Sequence, residues 1–144
     1  MNVEAILRRK GRSVTTVPPE LPLLHVAEWL RAKNIGAVVV STDGRHLQGI
    51  ISERDIVQAL AGHGEAALAM TAADLMTRAV VTCPPSESVT YLMRIMTRRR
   101  IRHIPVIEDG ELAGIVSIGD VVKHRLAEVE LEANVLRDNY IAHH

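Results

Sequence analysis

The amino-acid sequence predicts a mixed α/β (α+β) fold of two strand–helix–strand–strand–helix (β-α-β-β-α) repeats and a C-terminal helix. Short apolar runs alternate with stretches of helical periodicity, and this order of elements occurs twice along the 144 residues. The second occurrence also repeats individual residues of the first at a nearly constant offset. Because a unit of roughly 60 residues buries little core alone, we expect the two to pack together with pseudo-two-fold symmetry.

The first repeat is predicted to contain three helices and three strands. In order, they cover residues 3–10 (helix), 13–17 (strand), 23–33 (helix), 37–40 (strand), 47–51 (strand) and 53–61 (helix). Residues 37–40 are apolar on both faces, which is typical of a buried strand. Pro18-Pro19 ends the first strand, and Asp43-Gly44 predicts a hairpin between the last two.

The second repeat follows a predicted connection over residues 62–71 and has the same order of elements. They cover residues 72–76 (helix), 79–82 (strand), 88–99 (helix), 103–107 (strand), 112–116 (strand) and a helix from 118. Asp109-Gly110 again predicts a hairpin between the last two strands.

The repetition extends to single residues. At an offset of 66, residues 14–44 match 80–110 at eight positions; at an offset of 65, residues 47–57 match 112–122 at six of eleven. The matches fall at turns and at strand–helix junctions, which indicates duplication of one unit. We therefore predict three segments, which are a first repeat with the N-terminal helix (1–66), a second repeat (67–126) and a C-terminal helical extension (127–144).

Composition narrows the class of protein. Lys plus Arg and Asp plus Glu both number 17, so the zero net charge offers no general attraction to nucleic acid or acidic membranes. There is one cysteine, and neither a metal-ligand spacing nor an activated nucleophile stands out. The sequence thus predicts no catalytic residue, no metal site and no enzyme. No window approaches a membrane span and the first residues lack a leader pattern, so we expect a cytoplasmic protein.

One junction occurs in both repeats and carries the functional signal. Residues 49–55 (GIISERD) recur as residues 114–120 (GIVSIGD), in each case a strand that gives way to a helix. Serine with an acidic residue three positions on is a capping-box pattern, worth about 0.5–2 kcal/mol to the helix. A helix N-terminus also suits a phosphate, and an aspartate can accept hydrogen bonds from ribose hydroxyls. The two interpretations are compatible, because a capped helix end can also be a ligand site.

These motifs together resemble the cystathionine-β-synthase (CBS) domain family, in the tandem arrangement called a Bateman module. The resemblance rests on VTTVPP at 14–19, RHIPV at 102–106, the two Asp-Gly turns and the two junctions, and it covers residues 3 to about 126. It implies a regulatory protein whose clefts between repeats bind adenine nucleotides such as AMP, ATP, NAD or S-adenosylmethionine. LRRKG at 7–11, SERD at 52–55 and RHIPV are similar to small stand-alone bacterial CBS-pair proteins.

The resemblance implies a nucleotide cleft around the second junction. Ser117 and Asp120 would hold phosphate and ribose there, and Arg102 and His103 match the basic pair that contacts phosphate in nucleotide-binding relatives. Residues of the other repeat would wall the base. They are Gly36 and Ala37, with the stretch from Lys10 to Val14.

A symmetric cleft is implied around the first junction. Ser52 and Asp55 would take the ribose role, Arg54 would reach phosphate, and residues 77–81, with Thr77 and Val80, would line the adenine. The two clefts differ, because Gly36-Ala37 stands where the second repeat has Arg102-His103. The cleft at Asp120 is therefore the better candidate for an occupied site.

Two other classes of function remain open at this point. The run Arg98-Arg99-Arg100 with Arg102 is ordinary as a solvated helix end, but one arginine could contact phosphate, and residues 98–102 could bind nucleic acid. No aromatic stacking platform accompanies the run, which argues against single-stranded nucleic acid. The other alternative is a structural or interaction protein with vestigial clefts.

The last helix carries an apolar stripe at the 4-3-4-3-4 spacing of heptad a and d positions. It is the sixth predicted helix, α6, which starts at residue 118, and we call these residues the α6 stripe: Val122, Leu126, Val129, Ala133, Leu136 and Tyr140. The stripe either folds back on its own protein or forms the seam of a homodimer. We favour the homodimer, since the stripe continues beyond the second repeat.

Overall fold

The computed structural model describes residues 1–143, with side chains for residues 1–141; His144, the end of the predicted extension, lies outside them. The elements are, in order, α1 (Val3–Lys10), β1 (Thr16–Val17), α2 (Leu23–Lys33), β2 (Ala37–Val40), β3 (Gly49–Ser52), α3 (Glu53–His63), a 3₁₀ helix (Gly64–Ala69), α4 (Ala72–Leu75), α5 (Val89–Arg99), β4 (His103–Glu108), β5 (Glu111–Ser117) and α6 (Ile118–His143).

The predicted mixed fold with two repeats is confirmed. In the first repeat β1 pairs in parallel with β2, which pairs antiparallel with β3. In the second repeat β4 and β5 form the matching antiparallel pair, and Cys83 makes a single parallel bridge to Val106. Between β4 and β5, Asp109 (φ 54°) and Gly110 (φ 79°) form the predicted two-residue turn.

The predicted strand over residues 79–82 is wrong, and a single proline explains the loss. In the first repeat the Val39 N–H donates to the Thr15 carbonyl at 3.2 Å and so extends the parallel pairing. The equivalent residue of the second repeat is Pro105, which has no N–H to donate. Only Cys83 remains bonded, donating to the Pro105 carbonyl (3.2 Å) and accepting from the Ile107 N–H (2.9 Å).

Two strands of the first repeat are shorter than predicted. The strand expected over 13–17 keeps only its last two residues, Thr16 and Val17, which pair with Val39 and Val40. The strand expected from 47 starts at Gly49, and residues 41–48 form a loop instead of a tight hairpin. Asp43 organises that loop by accepting hydrogen bonds from the N–H groups of Arg45 and His46, both at 2.8 Å.

The helix that precedes each repeat packs into the core of the other repeat. α1 contributes Val3, Ile6 and Leu7 to the core of the second repeat, whereas α4 contributes Ala72 to the core of the first. Equivalent bridges anchor both helices, Asn2 to Ser88 at the start of α5 and Thr71 to Pro22 at the start of α2. This reciprocal exchange ties the two repeats together and fixes where the end of α1 lies. Within residues 1–143 no helix has both the length and the apolarity to cross a bilayer.

Candidate functional site

Two strand–helix junctions form the corners of the candidate site. The first corner is residues 52–55 at the start of α3, and the second corner is residues 117–120 at the start of α6. In the first, the Ser52 N–H and hydroxyl both donate to Asp55 Oδ2, at 2.9 and 3.2 Å. In the second, the Ser117 N–H and hydroxyl donate to Asp120 Oδ2 at 2.8 and 2.9 Å. Both corners are therefore true capping boxes.

A third capping box shows that this bonding does not by itself define a ligand site. Thr71 and Asp74 cap α4 in the same way, with the Thr71 N–H donating to Asp74 Oδ2 at 3.0 Å and the Asp74 N–H to Thr71 Oγ1 at 3.4 Å. Asp74 is exposed and does not follow a strand. What distinguishes the two corners must therefore come from the groups around them.

Lys10, at the end of α1, completes the second corner from the other end of the chain. Its ammonium donates to Asp120 Oδ2 at 2.6 Å and to the Ile115 carbonyl at 2.7 Å. In the first repeat the equivalent carbonyl, that of Ile50, accepts instead from the backbone N–H of Thr77 at 2.9 Å. A side-chain cation in one corner thus replaces a backbone donor in the other.

The second corner holds its carboxylate ionised. Partial burial alone would raise the pKa of Asp120, but the hydrogen bonds from Lys10 and Ser117, with the charge of Lys10, outweigh burial and bring the pKa below its usual value. The three donors all meet at Oδ2, and within residues 1–143 no hydrogen bond to Oδ1 is found. Oδ1 is therefore available as an acceptor for a ligand.

His103 lies between the two corners. It faces Ser117 across the β4–β5 ladder, and its ring is so close to Gly36 that a Cβ there would lie 3.1 Å from Cε1 and Nε2. Burial lowers the pKa of His103, and the neighbouring charge of Lys10 lowers it further, while Glu53 and Asp120 oppose that shift. The imidazole is therefore neutral near pH 7, where it can accept a hydrogen bond or take up a proton when an anion arrives.

The remaining predicted residues take three kinds of position. Arg54 and Arg102 are exposed, Val14 and Val80 are half-buried in connections, and Ala37 is buried opposite Ser52 in the β2–β3 ladder. The Gly36 carbonyl accepts from the first N–H of α3 at 3.0 Å, and the Arg102 carbonyl accepts from the first N–H of α6 at 2.8 Å. The backbone at these two equivalent positions thus has the same role in both corners.

Sequence reasoning missed why each junction begins with glycine. A Cβ on Gly114 would lie 2.7 Å from Cδ2 of Leu7, and one on Gly49 would lie 2.5 Å from Sδ of Met76. Leu7 of α1 and Met76, directly after α4, thus pack on the two glycines. The packing of α1 on Gly114 fixes the position of Lys10. Glycine at the same position of both junctions was the available signal, but it did not reveal the partner side chain.

Two shallow surface grooves lie away from the corners. One, of about 420 Å³, is lined by Leu21, His25, Glu28, Trp29 and Ala32. The other, of about 580 Å³, includes Arg12, Pro84 and Glu108. Among the residues described, no group of three or more His, Cys, Asp or Glu side chains could hold a metal ion.

Two repeats that exchange a helix and carry equivalent strand–helix corners define a tandem-repeat module. Comparison with known proteins identifies its family. The chain belongs to the CBS domain family, since the family model for the CBS domain matches residues 3–62 and 72–127. The CBS domain-containing protein CBSX3, mitochondrial, of Arabidopsis thaliana is 43% identical over 94 residues, which are 62% of this chain and 46% of that protein. Hypoxic response protein 1 of Mycobacterium tuberculosis is 29% identical over 111 residues, 77% of this chain and 78% of that protein.

Solved structures agree with this assignment. A CBS-domain containing protein from Agrobacterium tumefaciens superposes with a TM-score of 0.84 and 49% identity, over 87% of this chain and 99% of its own. The CBS domain pair of protein MJ0100, solved with 5′-methylthioadenosine and S-adenosyl-L-methionine, gives a TM-score of 0.78 and 26% identity, over 89% and 98%. By contrast, this chain spans 46% of the length of CBSX3, and 58% and 33% of relatives from Methanopyrus kandleri and Thermofilum pendens.

Proposed function

We propose that the protein is a non-enzymatic regulatory module that binds an adenine nucleotide (AMP, ATP or NAD(H)) in the clefts between its repeats. The observation that carries the proposal is the second corner. There an ionised aspartate with a free oxygen, a lysine ammonium, a neutral histidine and a helix N-terminus converge. Together these groups can accept hydrogen bonds from ribose hydroxyls and donate to an adjacent phosphate.

The roles of the groups follow from their chemistry. Asp120 accepts from the ribose hydroxyls, while Ser117, the N-terminus of α6, Lys10 and His103 hold phosphate. Arg102 adds charge at the rim, and the base is walled by Gly36, Ala37 and Val14. In the first corner the corresponding set is Ser52, Arg54, Asp55, Thr77 and Val80, without a described cation on the carboxylate. That corner is the weaker site for an anionic ligand.

A related structure supports the class of ligand. The CBS domain pair of MJ0100 was solved in complex with two adenosine compounds. An adenosine moiety is common to both of them and to the nucleotides proposed here. The phosphate preference proposed for this chain rests on Lys10 and His103.

Regulation follows from the position of Lys10. One ribose hydroxyl binds the free Oδ1 of Asp120, and the other competes for Oδ2 with the Lys10 ammonium, which is then free to turn to the phosphate. Because Lys10 ends a helix packed in the core of the second repeat, the ligand biases the position of α1. The shift in population is set by the difference in affinity between the two arrangements.

We propose the sequence segments 1–66, 67–126 and 127–144, a cytoplasmic location, and a homodimer, since the α6 stripe is exposed in the single chain. The sequence segments do not coincide with the cores, because α1 packs with the second repeat and α4 with the first.

Calorimetric titration with AMP, ATP, NAD, NADH, 5′-methylthioadenosine and S-adenosylmethionine tests the function. We expect saturable binding of at least one phosphorylated ligand, with the nucleotides ahead of 5′-methylthioadenosine. No binding to any of them, with an unmoved thermal melt, would instead favour a structural protein with vestigial clefts. Binding of an oligonucleotide whose affinity falls steeply with salt would favour the nucleic-acid alternative through residues 98–102.

A further inference from the structure

On α6 the stripe stays uncovered in the single chain. Val122, Leu126, Val129 and Leu136 are 50%, 56%, 45% and 70% exposed, while Val121, on the side that faces the second repeat, is 1% exposed. At about 100° per residue, the stripe is centred roughly 120° around the helix from the buried side. It therefore faces away from its own module.

The second half of α6 is exposed to solvent. Residues 129–141 are all classed as exposed. A helical segment of that length that buries little surface is marginal in water. A stable α6 therefore needs a partner surface along the stripe.

We propose that this partner is a second copy of the chain, whose α6 runs parallel to the first in a two-stranded coiled coil. The proposal does not depend on nucleotide binding. Its argument is the charge pattern beside the stripe, because residues at e and g decide which chains pair and in which direction.

The heptad register follows from the stripe, with Leu126 at a and Val129 at d. The residues beside it are then Lys123, Glu130 and Arg137 at e, and Arg125, Glu132 and Asn139 at g. The charges thus alternate in sign along the e edge, and Arg125 and Glu132 of the g edge are also opposite in sign.

A parallel pair brings opposite charges together. Each g residue then faces the e residue of the next heptad on the other helix. Arg125 meets Glu130 of the partner subunit, and Glu132 meets Arg137 of the partner subunit. Two-fold symmetry gives each contact twice.

An antiparallel pair brings like charges together, because g then faces g and e faces e. Centred on the stripe, it would set Glu130 against Glu130 of the partner subunit and Glu132 against Glu132 of the partner subunit. Lys123 would face Arg137 of the partner subunit. Glu130, Glu132 and Arg137 thus each face an opposite charge in the parallel arrangement and a like charge in the antiparallel one.

One contact within the chain competes with the proposed pairs. Arg125 donates to Glu128 on its own helix at 2.8 Å. Arg125 is more than half exposed, so the contact contributes little to stability. Within the described part of the chain, Glu130, Glu132 and Arg137 have no ion pair of their own.

Light scattering of the full chain over a concentration series gives the first test. We expect twice the chain mass of 15.8 kDa. Leu136→Lys should weaken self-association at least about tenfold, because two lysines would enter the seam. Leu131→Lys is the matched control, an exposed leucine at the f position (66% exposed) that should leave the dimer intact. A monomer, a trimer or tetramer, or a dimer lost with the control alone would overturn the proposal.

Direction is tested by charge exchange and by cross-linking. Glu132→Arg should weaken the dimer about tenfold, and Arg137→Glu added to it should restore the affinity to within about twofold.

Under mild oxidation Leu136→Cys should form a disulfide between chains, since a parallel seam puts the two positions in one layer. Native Cys83 is buried, which raises its pKa to about 11, so the wild type should not cross-link. A dimer that neither cross-links nor recovers would contradict the parallel pairing.

Discussion

At the scale of single residues, the site depends on a contact between the two ends of the chain. Lys10 and Asp120 are 110 residues apart in sequence, and the exchange of α1 brings them to 2.6 Å. No local pattern predicts such a pair. The sequence suggested Lys10 as part of the wall of the cleft, whereas its ammonium lies on the carboxylate proposed to bind ribose.

Lys10→Met should change which ligand is preferred. The variant loses a charge-assisted bond to phosphate but frees Asp120 for the ribose, so the ratio of AMP to adenosine affinity should fall about tenfold. Calorimetric titration of both ligands measures the ratio. Arg9→Met, an exposed neighbour on the same helix, is the control and should keep the wild-type ratio. An unchanged ratio in the Lys10 variant would remove Lys10 from the phosphate site.

His103 should make stability depend on pH. Its folded-state pKa is lowered, so between that pKa and the unfolded value of about 6.5 the unfolded chain binds more protons. The contribution of neutral His103 is therefore complete above about pH 6.5 and is lost as the pH falls below it. Urea unfolding at several pH values should show wild type losing more stability than His103→Gln. Identical pH profiles for the two proteins would contradict a lowered pKa of His103 in the folded protein.

At the scale of elements, the sequence predicted most helices and both hairpin strands of the second repeat. It did so because helix caps and hydrophobic periodicity are local signals. The strand over 79–82 failed for a non-local reason, since its hydrogen-bonding partner would have been Pro105. The tight hairpin predicted at Asp43-Gly44 is wrong because the Asp43 carboxylate accepts from the N–H groups of Arg45 and His46, an alternative that the Asp-Gly pattern does not exclude.

Gly114→Ala should destabilise the protein by about 1–3 kcal/mol, because the new methyl group would lie 2.7 Å from the buried Leu7. Chemical denaturation measures the change. Adding Leu7→Ala should recover part of the clash energy, so the two substitutions should not be additive. Gly62→Ala is the control, since it has open space within α3 and should be neutral or stabilising by up to about 1 kcal/mol. Additive effects of the first two would contradict the proposed contact between α1 and Gly114.

At the scale of the whole molecule, duplication explains both the fold and its asymmetry. The repeated residues predicted two units, and the exchange of α1 and α4 shows how each completes the core of the other. That exchange was beyond sequence reasoning, because apolar helices of similar pattern fit either core. Part of the asymmetry was visible in the sequence, because Gly36-Ala37 stands where the second repeat has Arg102-His103. Lys10 adds to the asymmetry, because its ammonium lies at the second corner.

Asp120 is proposed to belong to a nucleotide site in addition to capping α6. Calorimetric titration of AMP into wild type, Asp120→Ala and Asp74→Ala separates the two roles, because Asp74 caps α4 with the same hydrogen bonds. Loss of the ribose contact should weaken AMP binding to Asp120→Ala by about 1–3 kcal/mol, while Asp74→Ala should bind as wild type does. Equal affinity in all three proteins would contradict the account and leave Asp120 as a helix cap alone.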